Sequence, residues 1–337
     1  NLKFLIEGAE ILGSPNYPKL VAARRKDLVG VTALYGPRAS QDGAGRIGFT
    51  AGYKGLIYFD LVASATTWGR GPDGGSVHSS TNVVVDNVAW RLVQAMATMS
   101  DPETGDIAIP ALKAAVSTGK EIETWELPLV DDLAARLETA DPNTVLPGLS
   151  TAFPVRRFKA GLTGAALAQR YLYAPAMNVS SLRSGYTGPG TKSFLLPHEA
   201  RATIDLRVVS DLPAPELIAL IRAHLDDAGY SDIEIETHAA YDWYQTPLTA
   251  DLIAATTDTL DAHGYGYRPW AMQAFGGPWA HYGRVFGIPS LQGGAPGLGA
   301  RGATSDEYFV LEGSGNIAGL AELERHYVEF LHRYAAA

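Results

Sequence analysis

Three observations predict an α/β fold with a second, α+β layer. Strand-like and helix-like segments alternate along the whole chain, the pattern of helices packed on sheets. The 337 residues suggest two domains, at about 150 residues each. Hydrophobic residues make up 46% and charged residues 19%, which is enough apolar content to build cores and too little to sit in a bilayer.

Taken in order, residues 2–6 read as a buried strand and residues 7–16 as a polar turn region punctuated by glycine. Residues 17–25 predict a short helix, 27–34 a second buried strand, and 36–52 a loop or hairpin rich in Gly and Ser. Residues 56–65 alternate as a strand does. Val84, Val88, Leu92, Ala95 and Met99 recur on one face, which predicts a helix over 84–99. Residues 101–154 are weakly periodic and rich in Pro and Asp, mixing short helical pieces with loop.

Residues 201–209 alternate as a strand, 213–228 form an amphipathic helix, and 233–237 form another strand. A helix over 248–263 stops at Gly264. A short buried strand over 287–291 and a long helix over 314–334 follow. No internal repeat stands out.

Lys and Arg total 27 against 36 for Asp and Glu, a net charge of -9. With no basic run to offset it, nucleic acid and anionic membrane are excluded as main partners. No apolar run reaches the ~18 residues of a transmembrane helix. Cysteine is absent, which excludes disulfides, thiolate metal sites and a Cys nucleophile and fits a reducing, cytoplasmic setting. The chain opens on Asn1 with no visible leader, so an upstream segment, removed or carried on a separate chain, is expected.

Most local motifs lack their context. Gly43-Ala44-Gly45-Arg46-Ile47-Gly48 matches the dinucleotide fingerprint in letters, but that mechanism needs a strand before it and a helix after it. A loop is expected instead. Residues 185–192 hint at a phosphate loop without the Gly-Lys-Ser/Thr register of one. There is no GxSxG elbow and no HExxH. The eight histidines form no pair at metal-ligand spacing, and the sequon at Asn178 carries no weight alone.

Read together, several segments resemble the dinuclear-zinc peptidases and amidohydrolases, a family that includes carnosinases, carboxypeptidase G, aminoacylase and succinyl-diaminopimelate desuccinylase. Phe4 to Ser14 is similar to the strand and turn carrying that family's Glu-Glu pair. Val77-His78-Ser79-Ser80, with Asp86-Asn87-Val88-Ala89-Trp90, resembles its lid signature. Asn178 and the 185–192 run, Leu196-Pro197, and Asp205-Leu206-Arg207 fit the lid loop and strands. Phe275-Gly276-Gly277 and Ala303 to Tyr308 fit the C-terminal catalytic loops.

The resemblance implies a discontinuous zinc-peptidase-like catalytic domain (1–52 and 241–337). Into it would be inserted a ferredoxin-like α+β lid and dimerisation domain (53–240), with the 84–99 helix mediating a homodimer. It implies Glu10 as general acid/base and His78 as the group polarising an oxyanion. Arg207, Asn178, Gly276 and Gly277 are implied as substrate-binding residues. The family's metal-ligand positions are occupied by Ile11, Ala33 and Ala303, which cannot coordinate zinc. No cofactor is therefore expected unless displaced groups, such as Asp42 and His281, hold zinc.

A lone carboxylate would have to replace several kcal/mol of Lewis-acid stabilisation. Acyl transfer, condensation or cyclisation thus suits the site better than peptide hydrolysis, on a small amino-acid-like or peptide-like carboxylate. A conventional zinc hydrolase with displaced ligands and a non-catalytic dimer partner or binding module remain the alternatives.

Overall fold

The computed structural model describes every residue except 118–119, 150, 191–193 and 301–305. Its first elements are α1 (Tyr17–Ala23), α2 (Arg25–Leu28), β1 (Leu34–Gly36) and β2 (Ile47–Thr50). The long strand β3 (Gly52–Ser64) leads to α3 (Ala65–Trp68), β4 (Val77–His78), α4 (Val88–Ala97) and α5 (Pro110–Ser117). Next come α6 (Leu127–Thr139), α7 (Pro142–Val145), α8 (Gly164–Tyr173), β5 (Ala176–Ser184), β6 (Leu195–Leu196) and β7 (Glu199–Val208). They are followed by α9 (Ala214–Asp227), β8 (Glu234–Tyr241), β9 (Tyr244–Gln245), α10 (Asp251–Ala262) and β10 (Tyr267–Trp270). The last are β11 (Gln273–Gly276), α11 (Pro278–Phe286), β12 (Ser290–Gly293) and α12 (Leu320–Ala336).

Contacts divide the chain into two units. One holds Asn1–Lys54, Glu121–Tyr173 and Asp242–Ala337, and the other Gly55–Lys120 and Ala174–Tyr241. The segment Glu121–Tyr173, expected in the inserted domain, thus belongs to the first unit. Its helices α6 and α8 turn Val130, Leu133, Leu167 and Leu172 inward. Lys54 Nζ donates to the Tyr171 carbonyl at 3.1 Å, and the Tyr171 hydroxyl donates to Gln273 at 3.1 Å. These bonds tie α8 to the first unit's own strands.

In the second unit the strand order is β8-β3-β7-β5, every pair antiparallel. With α4 and α5 between β3 and β5, and α9 between β7 and β8, this is the ferredoxin-like βαββαβ arrangement. Period-two alternation builds the core: Ile57, Phe59, Leu61 and Ala63 from β3 and Ala202, Ile204 and Leu206 from β7 pack with Leu92, Ala95, Leu217, Ile221 and Leu225 of α4 and α9. The opposite face of β7 carries Arg201, Thr203, Asp205 and Arg207. There Arg201 pairs with Glu236 and with the buried Asp60, and the His238 ring lies 3.2 Å from Asp60. Burial pushes the Asp60 pKa up, but hydrogen bonds from Arg201, Thr203 and His238 hold it below the ordinary carboxylate range. Helix α4 begins later than periodicity alone predicts, because the Asn87 side chain caps the Ala89 N–H and leaves Val84 exposed outside it.

The first unit is a sheet of order β1-β12-β2-β10, with helices on both faces. Pairs β1–β12 and β10–β2 are parallel, and β12–β2 is antiparallel. Phe49, Leu291 and Tyr35 pack on one face with Leu252, Ile253 and Phe330 of α10 and α12. Leu34 packs on the other with Tyr17, Val21, Tyr282 and Phe286 of α1 and α11.

Two local expectations are corrected. Residues 2–6 form no strand: Phe4 is 84% and Ile6 85% exposed, no strand among the described residues pairs with them, and only Leu5 packs inward. Residues 27–34 are not a strand either. The Leu28 N–H bonds back to the Arg24 carbonyl in helix α2, and ladder pairing with β12 starts only at Leu34. The Gly43 to Gly48 run is, as expected, a loop and not a strand-to-helix turn: it leads into β2. The Asp42 carboxylate accepts the Ala44 and Arg46 N–H groups, and Gly45 takes a φ of +86°, where a Cβ would sit 2.7 Å from Asn316.

Candidate functional site

Glu10 opens a single 3-10 turn, Glu10–Leu12, closed by Gly13 in the left-handed region. Its carboxylate is exposed. The turn is held from beneath by Glu7, whose carboxylate accepts the Ala9 N–H at 3.0 Å and the hydroxyl of the fully buried Ser14 at 3.1 Å. Ser14 sits at a φ of +50°, an uncommon conformation for a non-glycine residue. Glu7 is a supporting residue that sequence reading placed only within a polar turn. The Ile11 side chain and Ala303 lie outside the described residues. Ala33 lies in the loop before β1 and packs against the Phe49–Phe330 core.

Gly276 ends β11, and Gly277 caps the start of α11. The Trp279 indole lies directly over Gly277, where a Cβ would meet ring atoms at 2.5 to 2.7 Å. Glycine at this position is therefore a packing requirement. Tyr53, 4% exposed, stands edge-on to Trp279 at 5.2 Å between ring centroids, and its hydroxyl donates to Gln292 Oε1 at 2.5 Å. Burial, only partly offset by neighbouring groups, pushes the Tyr53 pKa well above the usual phenol range, with Arg38 lowering it and Glu10 raising it. The phenol therefore stays protonated. Neither Tyr53 nor Gln292 carries a motif that sequence reading could single out.

Of the displaced-ligand candidates only Asp42 is occupied otherwise, while the buried His281 Nδ1 has no hydrogen-bond partner among the described residues. Asp42 caps its own turn, and His281 sits half-buried in α11, its pKa lowered mainly by burial. Zinc needs His, carboxylate or thiolate donors converging on one point. Among the described residues no group of three such side chains is arranged to hold a metal. The described donor set does not fit a zinc centre.

In the second unit, Arg207 lies on β7 between Leu56 of β3 and Ala176 of β5. Its Nε donates to Asp205 Oδ1 at 3.1 Å, while its terminal nitrogens make no hydrogen bond among the described residues. The other oxygen of Asp205 accepts from Asn178 Nδ2 and Ser180 Oγ, both at 2.8 Å. One carboxylate thus joins Arg207 and Asn178, a link invisible in sequence because it depends on the register Asn178↔Asp205. His78 sits on the exposed strand β4, paired with β6. Its Nδ1 accepts the Ser80 N–H at 3.2 Å. With Nδ1 as this acceptor, the proton is carried on Nε2, which is then a donor.

Solved structures with the same arrangement include an M20 family metallo-carboxypeptidase from Sulfolobus solfataricus, with a TM-score of 0.75 and 23% identity over 98% of this chain and 70% of that one. The fold is that of the M20 peptidases. The di-peptidase Dug1p from Saccharomyces cerevisiae (TM-score 0.66, 15% identity) and human carnosine dipeptidase 1 (0.66, 14%) share this M20-type architecture over 98% of this chain. The chain spans about two thirds of the length of these two dipeptidases, 65% and 64%. No family model and no curated protein matches the sequence. At these identities the likeness carries the fold and leaves the chemistry to the residues themselves. No helix among the described residues is long and apolar enough to cross a membrane.

Proposed function

We propose that this chain is a metal-independent enzyme on an amidohydrolase and peptidase scaffold. It acts at the acyl or amide carbonyl of a small carboxylate-bearing, amino-acid-like or peptide-like substrate, by acyl transfer, condensation or cyclisation, or hydrolysis. The observation that carries this reading is Arg207. Its guanidinium is braced through Nε while its terminal nitrogens stay unpaired, the arrangement suited to gripping a carboxylate through two parallel hydrogen bonds. His78 supplies an Nε2–H donor to a developing oxyanion. Glu10 supplies the exchangeable proton, and the Gly276–Gly277 turn and Asn178 complete substrate binding. A cytoplasmic homodimer is part of this reading, with exposed Trp90 and Val93 on α4 supplying apolar contact area.

The test begins with the metal content of the purified chain. Turnover of N-acyl amino acids, dipeptides and activated esters is then compared between wild type and Glu10→Gln. Metal-free turnover that falls about 100-fold or more in the variant, as loss of a general acid–base group should produce, supports the proposal. Two tightly held zinc ions per chain with chelator-sensitive turnover would return the protein to conventional zinc hydrolysis. Wild-type turnover that survives Glu10→Gln removes Glu10 from the chemistry. Binding without turnover of any substrate would make the chain a binding module.

A further inference from the structure

Gln292 ends a chain of contacts that the roles above do not use. It lies at the carboxyl end of β12, beside Gly36 at the carboxyl end of the parallel strand β1. Ligands of open α/β sheets bind outside the carboxyl ends of parallel strands. The approach is close: a Cβ on Gly36 would sit 3.3 Å from Gln292 Cγ. The buried, protonated Tyr53 hydroxyl takes Gln292 Oε1 as its acceptor. That fixes the carboxamide with its nitrogen turned away from Tyr53, and this NH2, with its two donors, makes no hydrogen bond among the described residues.

Arg38, two residues beyond the end of β1, is exposed and likewise makes no ion pair or hydrogen bond among the described residues. Its charge reaches the Tyr53 hydroxyl, where it acts more strongly than the opposing charge of Glu10. A neutral donor pair and an unpaired guanidinium that both act on the Tyr53 hydroxyl suit an oxygen acceptor carrying negative charge.

We infer that Gln292 is a ligand-contacting residue that presents its carboxamide NH2 to a carbonyl or carboxylate oxygen of a small acyl compound, and that Tyr53 is the residue that positions it. This deepens the function proposed above and rests on it, because it assumes that an acyl carboxylate is what binds. Tyr53 acts only through Gln292, so removing its hydroxyl should matter only while the glutamine is present.

The test is calorimetric titration of the full chain with N-acetylglycine and a panel of related N-acetyl amino acids. Wild type, Gln292→Leu, Tyr53→Phe and the double variant are compared, with melting temperatures confirming that each is folded. The expected result is a loss of affinity of about 10-fold for Gln292→Leu and a smaller loss for Tyr53→Phe. The double variant should be no weaker than Gln292→Leu alone. A folded Gln292→Leu that binds as wild type does overturns the inference and leaves the proposed function standing. Additive losses in the double variant overturn the positioning role of Tyr53. Failure of every N-acetyl amino acid to bind wild type would remove the proposed function and this inference together.

Discussion

Arg207 and Glu10 carry the two ends of the proposed chemistry, and the chain holds them in opposite ways. Arg207 stands within a ladder, hydrogen-bonded to strands on both sides and braced by a carboxylate two residues away on the same strand. Glu10 stands on one 3-10 turn whose support is Glu7, Ser14 and a left-handed glycine. A side chain in a sheet inherits its direction from the period-two backbone and its position from the ladder. One on an isolated turn depends on a few local bonds. The second unit therefore holds the proposed binding group on rigid structure, while the first holds the proposed acid–base group on a turn that single substitutions can disturb.

The largest expected effect tests that contrast at the level of packing. Phe59 is fully buried in the core of the second unit, and Phe59→Ala should cost about 3–5 kcal/mol of stability. Phe4, equally large and apolar but 84% exposed in the first unit, should change stability by less than about 0.5 kcal/mol as Phe4→Ala. Urea denaturation of both variants measures the difference. A comparable loss in the two would mean that the N-terminal stretch is packed in solution.

The same pair of residues shows what sequence could and could not supply. Alternation in β3 and β7 marks the inward residues correctly, because there the buried face and the strand period coincide. In residues 2–6 apolar content alone predicted a strand, but a strand exists only if something pairs with it, and apolar content does not encode a partner. The segment 121–173 was misplaced for a similar reason: its membership depends on bonds such as Lys54 to Tyr171, which link residues far apart in sequence. Glu10, His78, Arg207, Asn178 and the Gly276–Gly277 turn were legible as residue types in a family-like order. Their supports, Glu7, Ser80, Asp205 and Tyr53, were not, since each acts through register or burial rather than through a motif.

Acid should separate the two units next. His326 on α12 is 1% exposed and stacks on Phe330, and burial, with the charge of His263 adding to it, lowers its pKa to about 4. In the unfolded chain a histidine titrates near about 6.5, so between these values the unfolded state binds more protons and stability falls as pH drops. The loss should begin near pH ~6.5, reach about 3 kcal/mol by pH ~4, and level off below that. Asp60 of the second unit, its pKa held below the ordinary range, contributes stability that is lost only as pH falls below about 3.9. Hydrogen exchange at mildly acidic pH should therefore show α10 and α12 loosening before β3 and β7. His326→Phe should flatten the first unit's slope.

Arg207 gives an effect of similar size on binding. Removing a hydrogen-bonding charged partner typically costs about 1.5–3 kcal/mol, so Arg207→Ala should weaken binding of an N-acyl amino acid by roughly that amount. Arg207→Lys should recover only part of it, because a point charge cannot reproduce the two-pronged contact. Asp205→Asn should lie between wild type and Arg207→Ala, since it keeps the shape but removes the charge that braces the guanidinium. Full recovery in Arg207→Lys would mean that charge alone, without geometry, governs recognition.

The smallest effect is also the sharpest test of the contrast. Glu7 touches no residue proposed to meet substrate, yet its two hydrogen bonds hold the turn that carries Glu10. Glu7→Gln keeps the shape and one acceptor while removing the charge, so its cost in global stability should be no more than about 1 kcal/mol. Its effect should appear instead in turnover, as a lower kcat at unchanged KM, because the displaced group is the proton carrier and not the carboxylate grip. In the second unit, Asn178→Ala, which removes one of the donors to Asp205, should shift KM and leave kcat nearly unchanged. If both variants moved the same constant, a laddered residue and a turn-borne one would be equally well held, and the division of labour between the two units would disappear.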